Sequence, residues 1–264
     1  MRTETIVAPS VSRIGSRLSP SLVRYGDPAT VEVELVCFPA AGEPASRFAA
    51  WRPHLDARFG LVAVERAGRG RRMAEPPQPD LESIVREVVS ELATSTQHPL
   101  VLVGHSAGSL VAHAVTAALE STPMEVLGVV ACHGRSPTID RPIPWSALDD
   151  DALVAAVRNG RPAAGSLLDR ADFVDVFLPA FRADLSLYER TESACAPVSV
   201  PLIALGGCDD ALVPPPDIRR WRDASKGTFV SQILSGDHFV PVDEPAILLE
   251  TLLPLLATYV LGTK

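Results

Sequence analysis

What this chain has little of narrows its chemistry first. Three Trp, three Tyr and eight Phe make up 5% of its 264 residues, too few aromatic faces for a platform that stacks nucleic-acid bases. Positive charge is in deficit. The 24 Lys and Arg stand against 32 Asp and Glu, a net −8, which disfavours a nucleic-acid partner whose affinity rests on neutralised phosphates. Cysteine is sparse and scattered: Cys37, Cys132, Cys195 and Cys208 form no C-x-x-C pair, so inert thiols in a reducing compartment are expected. No zinc-ligand spacing occurs, and no metal or organic cofactor is called for. The most apolar stretch, 246–261, is broken by Glu250 and Pro254 and makes a poor membrane span but a good helix covering a sheet. The N-terminal segment has no apolar core of signal-peptide length. With 47% hydrophobic and 21% charged residues, the expectation is an acidic, cytoplasmic, monomeric protein without membrane or nucleic-acid partners.

What is present is an alternation of two periodicities. Residues 1–30 are polar and without clear period, and are expected as a loose arm or a short edge element. From 31 to 264 a single domain is expected. Short β-rich runs at 31–38, 61–66, 99–104, 124–132, 200–207 and 228–234 are mostly continuously apolar, as in strands covered on both faces. Between two of them Leu81, Ile84, Val85, Val88, Val89 and Leu92 recur at helical spacing, with Asp80 placed as N-cap. Such alternation implies parallel βαβ units and an α/β sheet. From about 142 to 192 no strand candidate occurs. One helix over 150–159 and another beginning near Pro179, with Phe177, Phe181, Leu185 and Tyr188 on one face, make a helical lid over the strands' C-terminal ends, where ligands bind in such sheets.

The chemistry sits at PLVLVGHSAG, an apolar strand running into G-x-S-x-G and then a helix. This is the nucleophile elbow. Ser106 occupies a sharp strand-to-helix turn for which Gly104 and Gly108 leave room, and the Ala107 N–H at the helix start faces a developing oxyanion. A serine hydroxyl needs a base, itself oriented by a carboxylate, in the chain order Ser, Asp or Glu, His. His238, in the loop after the last strand, is the expected base. His133 ends the strand after the elbow and is placed as a pocket-lining residue, and His105 as a packing group beneath the elbow. Asp210, past the end of the penultimate strand, is preferred as the acid over Asp209, which is read as a turn residue. The second oxyanion donor is assigned to the Ala41 N–H in the loop CFPAAG.

With these motifs placed, the chain resembles the type II thioesterases, stand-alone α/β-hydrolases that accompany polyketide and nonribosomal peptide synthases. CFPAAG (37–42), GRGRRMAEPP (68–77), GHSAG (104–108), FLPAFRADLSLYE (177–189), GGCDD (206–210) and GDHF (236–239) carry the resemblance, and the lid segment is the most specific of them. It implies an α/β-hydrolase fold with a mostly parallel sheet, flanking helices and a lid. It also implies hydrolysis of acyl groups from the phosphopantetheine arms of acyl or peptidyl carrier proteins, with Ser106, Asp210 and His238 as triad and Ala41 and Ala107 as oxyanion hole. The chain departs from the family pattern at Ala40 (usually aromatic or His), Glu43 (usually Gly), Ala67 (usually Pro), Ala107 (usually Met) and Ser109 (usually Gly or Ala). These departures point to a pocket mouth of altered size and polarity.

Rival readings are a product-releasing thioesterase or cyclase, a general carboxylesterase, and a binding module that keeps the fold without catalysis. Arg66, Arg69, Arg71 and Arg72 form a basic run in an acidic chain. It is read either as a contact for an acidic carrier protein or its phosphate, or as loop salt bridges.

Overall fold

The six apolar runs become six parallel strands of one eight-stranded sheet in the computed structural model, which describes residues 15–26, 30–139, 144–161, 165–190 and 196–262. They are β3 (Val33–Phe38), β4 (Phe59–Val64), β5 (Leu100–His105), β6 (Val126–Cys132), β7 (Leu202–Gly207) and β8 (Phe229–Leu234). Residues expected as a loose arm or edge element supply the edge: β1 (Ser16–Arg17) pairs antiparallel with β2 (Leu22–Tyr25), and β2 pairs antiparallel with β4. The lateral order is β1-β2-β4-β3-β5-β6-β7-β8. The run expected at 61–66 begins and ends two residues early. Glu65 and Arg66 leave the strand to satisfy buried charges, Glu65 accepting the Ala45 N–H at 3.0 Å and Arg66 meeting Asp184 at 2.6 Å.

Period-two alternation divides the side chains between two cores. Val36, Phe38, Leu100 and Leu102 face one side, where helices α1 (Leu81–Ser95) and α2 (Ala107–Leu119) pack. Leu35, Cys37, Val101 and Val103 face the other, where Phe48, Trp51 and Leu248, Leu249, Leu252 and Leu256 cover them. Those four leucines belong to the C-terminal helix, Pro245–Tyr259, which is the interrupted apolar stretch. α1 starts as its sequence requires: Asp80 accepts the Ser83 N–H at 2.7 Å, a cap worth about 1 kcal/mol. Among the described residues no helix is long and apolar enough to cross a membrane.

Between β6 and β7 lie α3 (Asp150–Gly160), α4 (Gly165–Leu168) and α5 (Ala171–Arg190). α5 does not begin near Pro179 as expected; it starts eight residues earlier, at Ala171, with Pro179 in its interior. Pro179 is exposed, so the ring and the missing N–H fall on the solvent side, where the helix tolerates a bend. The chain passes from β3 to β4 on one side and then crosses to β5 on the other side of β3. At that switch point the loops after β3 and β5 diverge and leave a crevice at the strands' C-terminal ends.

Candidate active site

Ser106 stands between β5 and α2 with φ 54° and ψ −122°, a conformation that a non-glycine residue holds only when its surroundings enforce it. The enforcement is steric. A Cβ on Gly108 would lie 2.2 Å from the Phe38 carbonyl oxygen and 2.5 Å from that of Pro39, so the first turn of α2 is pressed against the loop leaving β3. The turn leaves the Ala107 N–H at a helix start, among the donors without an intrahelical partner. Ala41, on the β3 loop, and Ala107 line the same cavity as Ser106 and His238.

His238, in the loop after β8, brings Nε2 to 2.9 Å from Ser106 Oγ and Nδ1 to 2.8 Å from Asp210 Oδ2. Asp210 follows β7 and is buried, whereas the neighbouring Asp209 is exposed and accepts a contact from the Cys208 thiol. Burial alone would raise the Asp210 carboxyl, but hydrogen bonds from His133 and His238 and from the Val213 N–H outweigh it. The group is held well below the ordinary carboxylate range. Its other oxygen accepts the Leu212 and Val213 N–H groups at 2.9 and 2.8 Å.

Two histidines outside this chain of contacts behave differently from each other. His105 is packed beneath the elbow, as expected, with Nε2 donating to the His238 carbonyl at 2.9 Å. Burial, then the neighbouring His238 and His133 rings, pushes it well below the usual imidazole range, so it stays neutral. His133 does not line the cavity as expected. It is fully buried behind the acid, with φ 51°, and its Nδ1 lies 3.1 Å from the same Asp210 Oδ2 that His238 uses. Its side of the site is closed by β7, where Gly207 approaches the ring. Among the described residues His133, Asp210 and His238 are also a group whose ligand atoms lie within 4.8 Å of one another, the spacing a metal site needs. Both imidazoles aim Nδ1 at one carboxylate oxygen, the arrangement of a hydrogen-bonded relay.

The cavity has a volume of about 580 Å3 and is roofed by the lid: Phe173, Phe177 and Phe181 of α5 stack in sequence at 5.4 and 4.9 Å, with Leu185 and Tyr188 beyond. Its rim is charged. Glu43 meets Arg161 at 2.9 Å, Asp243 accepts from Arg47 and Arg161 at 2.9 and 2.8 Å, and the Arg161 guanidinium lies 4.2 Å over the Phe239 ring. Glu43, one of the departures expected to alter the size and polarity of the mouth, lies on this rim.

The basic run is not a surface patch. Arg66, Arg69 and Arg72 are buried, because each reaches a carboxylate that neutralises it. Arg66 and Arg69 meet Asp184 of α5, and Arg72 meets Glu75 and Glu87 at 2.6 and 2.7 Å. Arg71 alone is exposed, its guanidinium donating to the Gly15 carbonyl. Burial tends to raise the Asp184 carboxyl, but the two guanidiniums and the Gly42 N–H hold it below the ordinary range. Sequence reasoning missed Asp184, His133 as a partner of the acid, and the rim arginines Arg47 and Arg161. The available signal for Asp184 was its place seven residues after Phe177, on the face that carries Phe177 and Phe181. Cys37 and Cys132 are buried free thiols whose ionisation burial opposes, Cys208 is exposed, and Cys195 lies outside the described residues.

Comparison with known proteins gives a consistent result. The family model for the thioesterase domain matches residues 33–256. The probable cadicidin biosynthesis thioesterase of Streptomyces griseus is 32% identical over 225 residues, covering 83% of this chain but 61% of that protein, so this chain spans about three-fifths of its length. The solved structure of RedJ-thioesterase from the prodiginine biosynthetic pathway in Streptomyces coelicolor is 30% identical, with a TM-score of 0.78 over 88% of this chain and 92% of that one. The type II thioesterase BorB from the borrelidin biosynthetic cluster is 26% identical, with a TM-score of 0.81 over 90% and 98%.

Proposed function

Because the chain belongs to the thioesterase domain family, we propose that it hydrolyses acyl thioesters on the phosphopantetheine arms of acyl or peptidyl carrier proteins, clearing stalled or aberrant units from a polyketide or nonribosomal peptide synthase. Ser106 is the nucleophile, His238 the base and Asp210 the acid, with the Ala41 and Ala107 N–H groups as oxyanion donors. The observation that carries this reading is the continuous contact chain from Ser106 Oγ through His238 to Asp210, at 2.9 and 2.8 Å, opening into a largely apolar cavity that both donors line.

The steps follow from that geometry. His238 Nε2 takes the Ser106 hydroxyl proton while Oγ bonds to the thioester carbonyl carbon, and the oxyanion settles between the two backbone N–H groups. The C–S bond breaks, the imidazolium returns its proton to the departing thiol, and an acyl-serine remains. His238 then deprotonates a water that attacks the acyl carbon, the C–Oγ bond breaks, and Ser106 recovers its proton as the free acid leaves. Asp210 keeps the proton of neutral His238 on Nδ1, so that Nε2 is the basic nitrogen, and stabilises the imidazolium when it forms.

The test compares one acyl group presented on a carrier protein, on a free pantetheine-type thiol and as an oxygen ester, with Ser106→Ala as control. Preference for the carrier-bound thioester, and no acyl-enzyme in the alanine variant, is the expected result. Oxygen-ester turnover equal to thioester turnover would favour a general esterase, and product cyclisation without free acid would favour a releasing cyclase. Turnover retained in Ser106→Ala would remove the nucleophile assignment.

A further inference from the structure

The loop that carries the Ala41 donor is held from above by a carboxylate of the lid. Asp184 Oδ2 accepts the N–H of Gly42, the next peptide group along, at 2.8 Å. Asp184 lies on the same face of α5 as Phe177 and Phe181, and that face is seated directly on the loop. Gly42 has φ +70°, and a Cβ there would lie 2.6 Å from the Phe177 ring and 3.1 Å from the Phe181 Cβ. No other residue satisfies both the backbone and the contact.

Asp184 is itself tied to the sheet. Arg66 and Arg69, on the loop leaving β4, both reach it: Arg66 at 2.6 Å and Arg69 through two nitrogens, one at 3.0 Å to Oδ1 and one to Oδ2. The carboxylate is fully buried and each guanidinium side chain is 5% exposed. One lid carboxylate thus joins three pieces that lie far apart in sequence: the lid helix, the β4 loop and the oxyanion loop. The oxyanion loop is gripped from below by the elbow, through Gly108, and from above by α5.

We infer that Asp184 is a positioning residue for the oxyanion hole, aiming the Ala41 N–H only while α5 is docked on Arg66 and Arg69. Lid docking and chemical competence then become one event. A lid that lifts to admit substrate releases Gly42 and removes one oxyanion donor, and closure over the acyl chain restores it. Ester already in the crevice is not attacked until the lid is down. This inference rests on the assignment of Ser106 and Ala41 made above.

The rival account is that Asp184 only neutralises two buried arginines and holds the fold. Asp184→Asn tests the difference, together with the double variant Arg66→Met/Asp184→Asn, which keeps the net charge of the cluster. The measurement is a pre-steady-state burst with a p-nitrophenyl acyl ester, whose amplitude counts competent sites and whose rate constant reports acylation at each. The expected result is an acylation rate per site about 10- to 100-fold lower, with the substrate dissociation constant read from the concentration dependence of the burst within about threefold of the parent, since a displaced donor costs transition-state stabilisation and not acyl binding. Affinity for a trifluoromethyl ketone that forms a hemiketal with Ser106 should fall by the same factor. A smaller amplitude with an unchanged rate per site would overturn the inference.

Hydrogen exchange on the unmodified chain decides the matter even where a variant does not fold. The Gly42 amide should exchange with the same opening free energy as the amides of α5, and fast exchange at Gly42 beneath a protected α5 would overturn the coupling. Ser106→Ala separates the two claims. A burst in that variant defeats the nucleophile assignment itself, whereas its absence, with an unaltered Asp184→Asn rate, defeats only the role given to Asp184.

Discussion

Two buried carboxylates face each other's work across this cavity, and they are solvated in opposite ways. Asp210, below, accepts from two imidazoles and two backbone N–H groups. Asp184, above, accepts from two guanidiniums and one backbone N–H. Both are held below the ordinary carboxylate range. The difference lies in when the opposing charge exists. The donors around Asp210 are imidazoles and backbone N–H groups, and in the proposed mechanism its field does most when His238 receives the Ser106 proton as the transition state forms. The cations around Asp184 are permanent, so its charge is satisfied in the resting protein and can only hold things in place. Electrostatics that serve catalysis are kept unpaired until needed, and electrostatics that serve geometry are paired at once.

Asparagine substitutions should therefore act oppositely at the two positions. Asp210→Asn gives the two imidazole donors an amide in place of a carboxylate and lets His238 adopt the wrong tautomer. Turnover should fall by about 10⁴-fold, with a small change in unfolding midpoint. Asp184→Asn strands two buried guanidiniums, a break that typically costs about 3–5 kcal/mol of stability. Its effect on acylation should be the smaller one argued above. Steady-state kinetics and urea unfolding on both variants check the crossing. A turnover loss below tenfold for Asp210→Asn, or a stability loss below about 1 kcal/mol for Asp184→Asn, would break the comparison.

His133 sharpens it from the side of the acid. Its Nδ1–H is a second donor to Asp210 Oδ2, and its φ of 51° is one that asparagine tolerates and leucine does not. The amide nitrogen of an asparagine can occupy the position of Nδ1, so His133→Asn should keep the bond, the backbone and turnover within about threefold. His133→Leu loses the donor and strains the turn, at about 1–3 kcal/mol of stability, and leaves Asp210 with less support. Comparing the two variants by unfolding reads the donor and the backbone strain together, and comparing them by kcat reads the support given to Asp210. Equal stability in both would mean that the bond to Asp210 contributes nothing.

How much of this was legible follows from where each residue finds its partner. The strands, α1 and the elbow declare themselves within a few residues, through apolar runs, helical spacing and flanking glycines. Ser106, Asp210 and His238 could be placed because the fold fixes their order along the chain. The basic run could not be assigned to inside or outside, because what buries Arg69 is a carboxylate 115 residues later. His133 was placed in the pocket because its strand ends there. Only its left-handed backbone, unusual for a histidine, turns the ring behind the acid. Pro179 suggested a helix start since proline is favoured there, and the exposure that makes it harmless mid-helix belongs to the tertiary structure. Local chemistry was readable, and charge pairing across the chain was not.

A third carboxylate provides the control for the first two. Asp243, on the rim, also accepts from two arginines, Arg47 and Arg161, at 2.9 and 2.8 Å. In its two guanidinium partners it copies Asp184, though without the backbone N–H that Asp184 accepts from Gly42, and its side chain is 42% exposed where that of Asp184 is 0%. Water screens the pair and can replace the carboxylate at either guanidinium, and Arg161 keeps both Glu43 and the face of Phe239. Asp243→Asn should thus cost under about 1 kcal/mol of stability, and added salt should shrink even that. The same substitution against a like pair of guanidiniums then spans the range from negligible to severe, with burial as the main variable that changed. A loss at Asp243 as large as that at Asp184, measured by urea unfolding in low and high salt, would mean that burial is not what separates the rim from the roof, and that the arginine pairs on both sides of the mouth hold the lid in the same way.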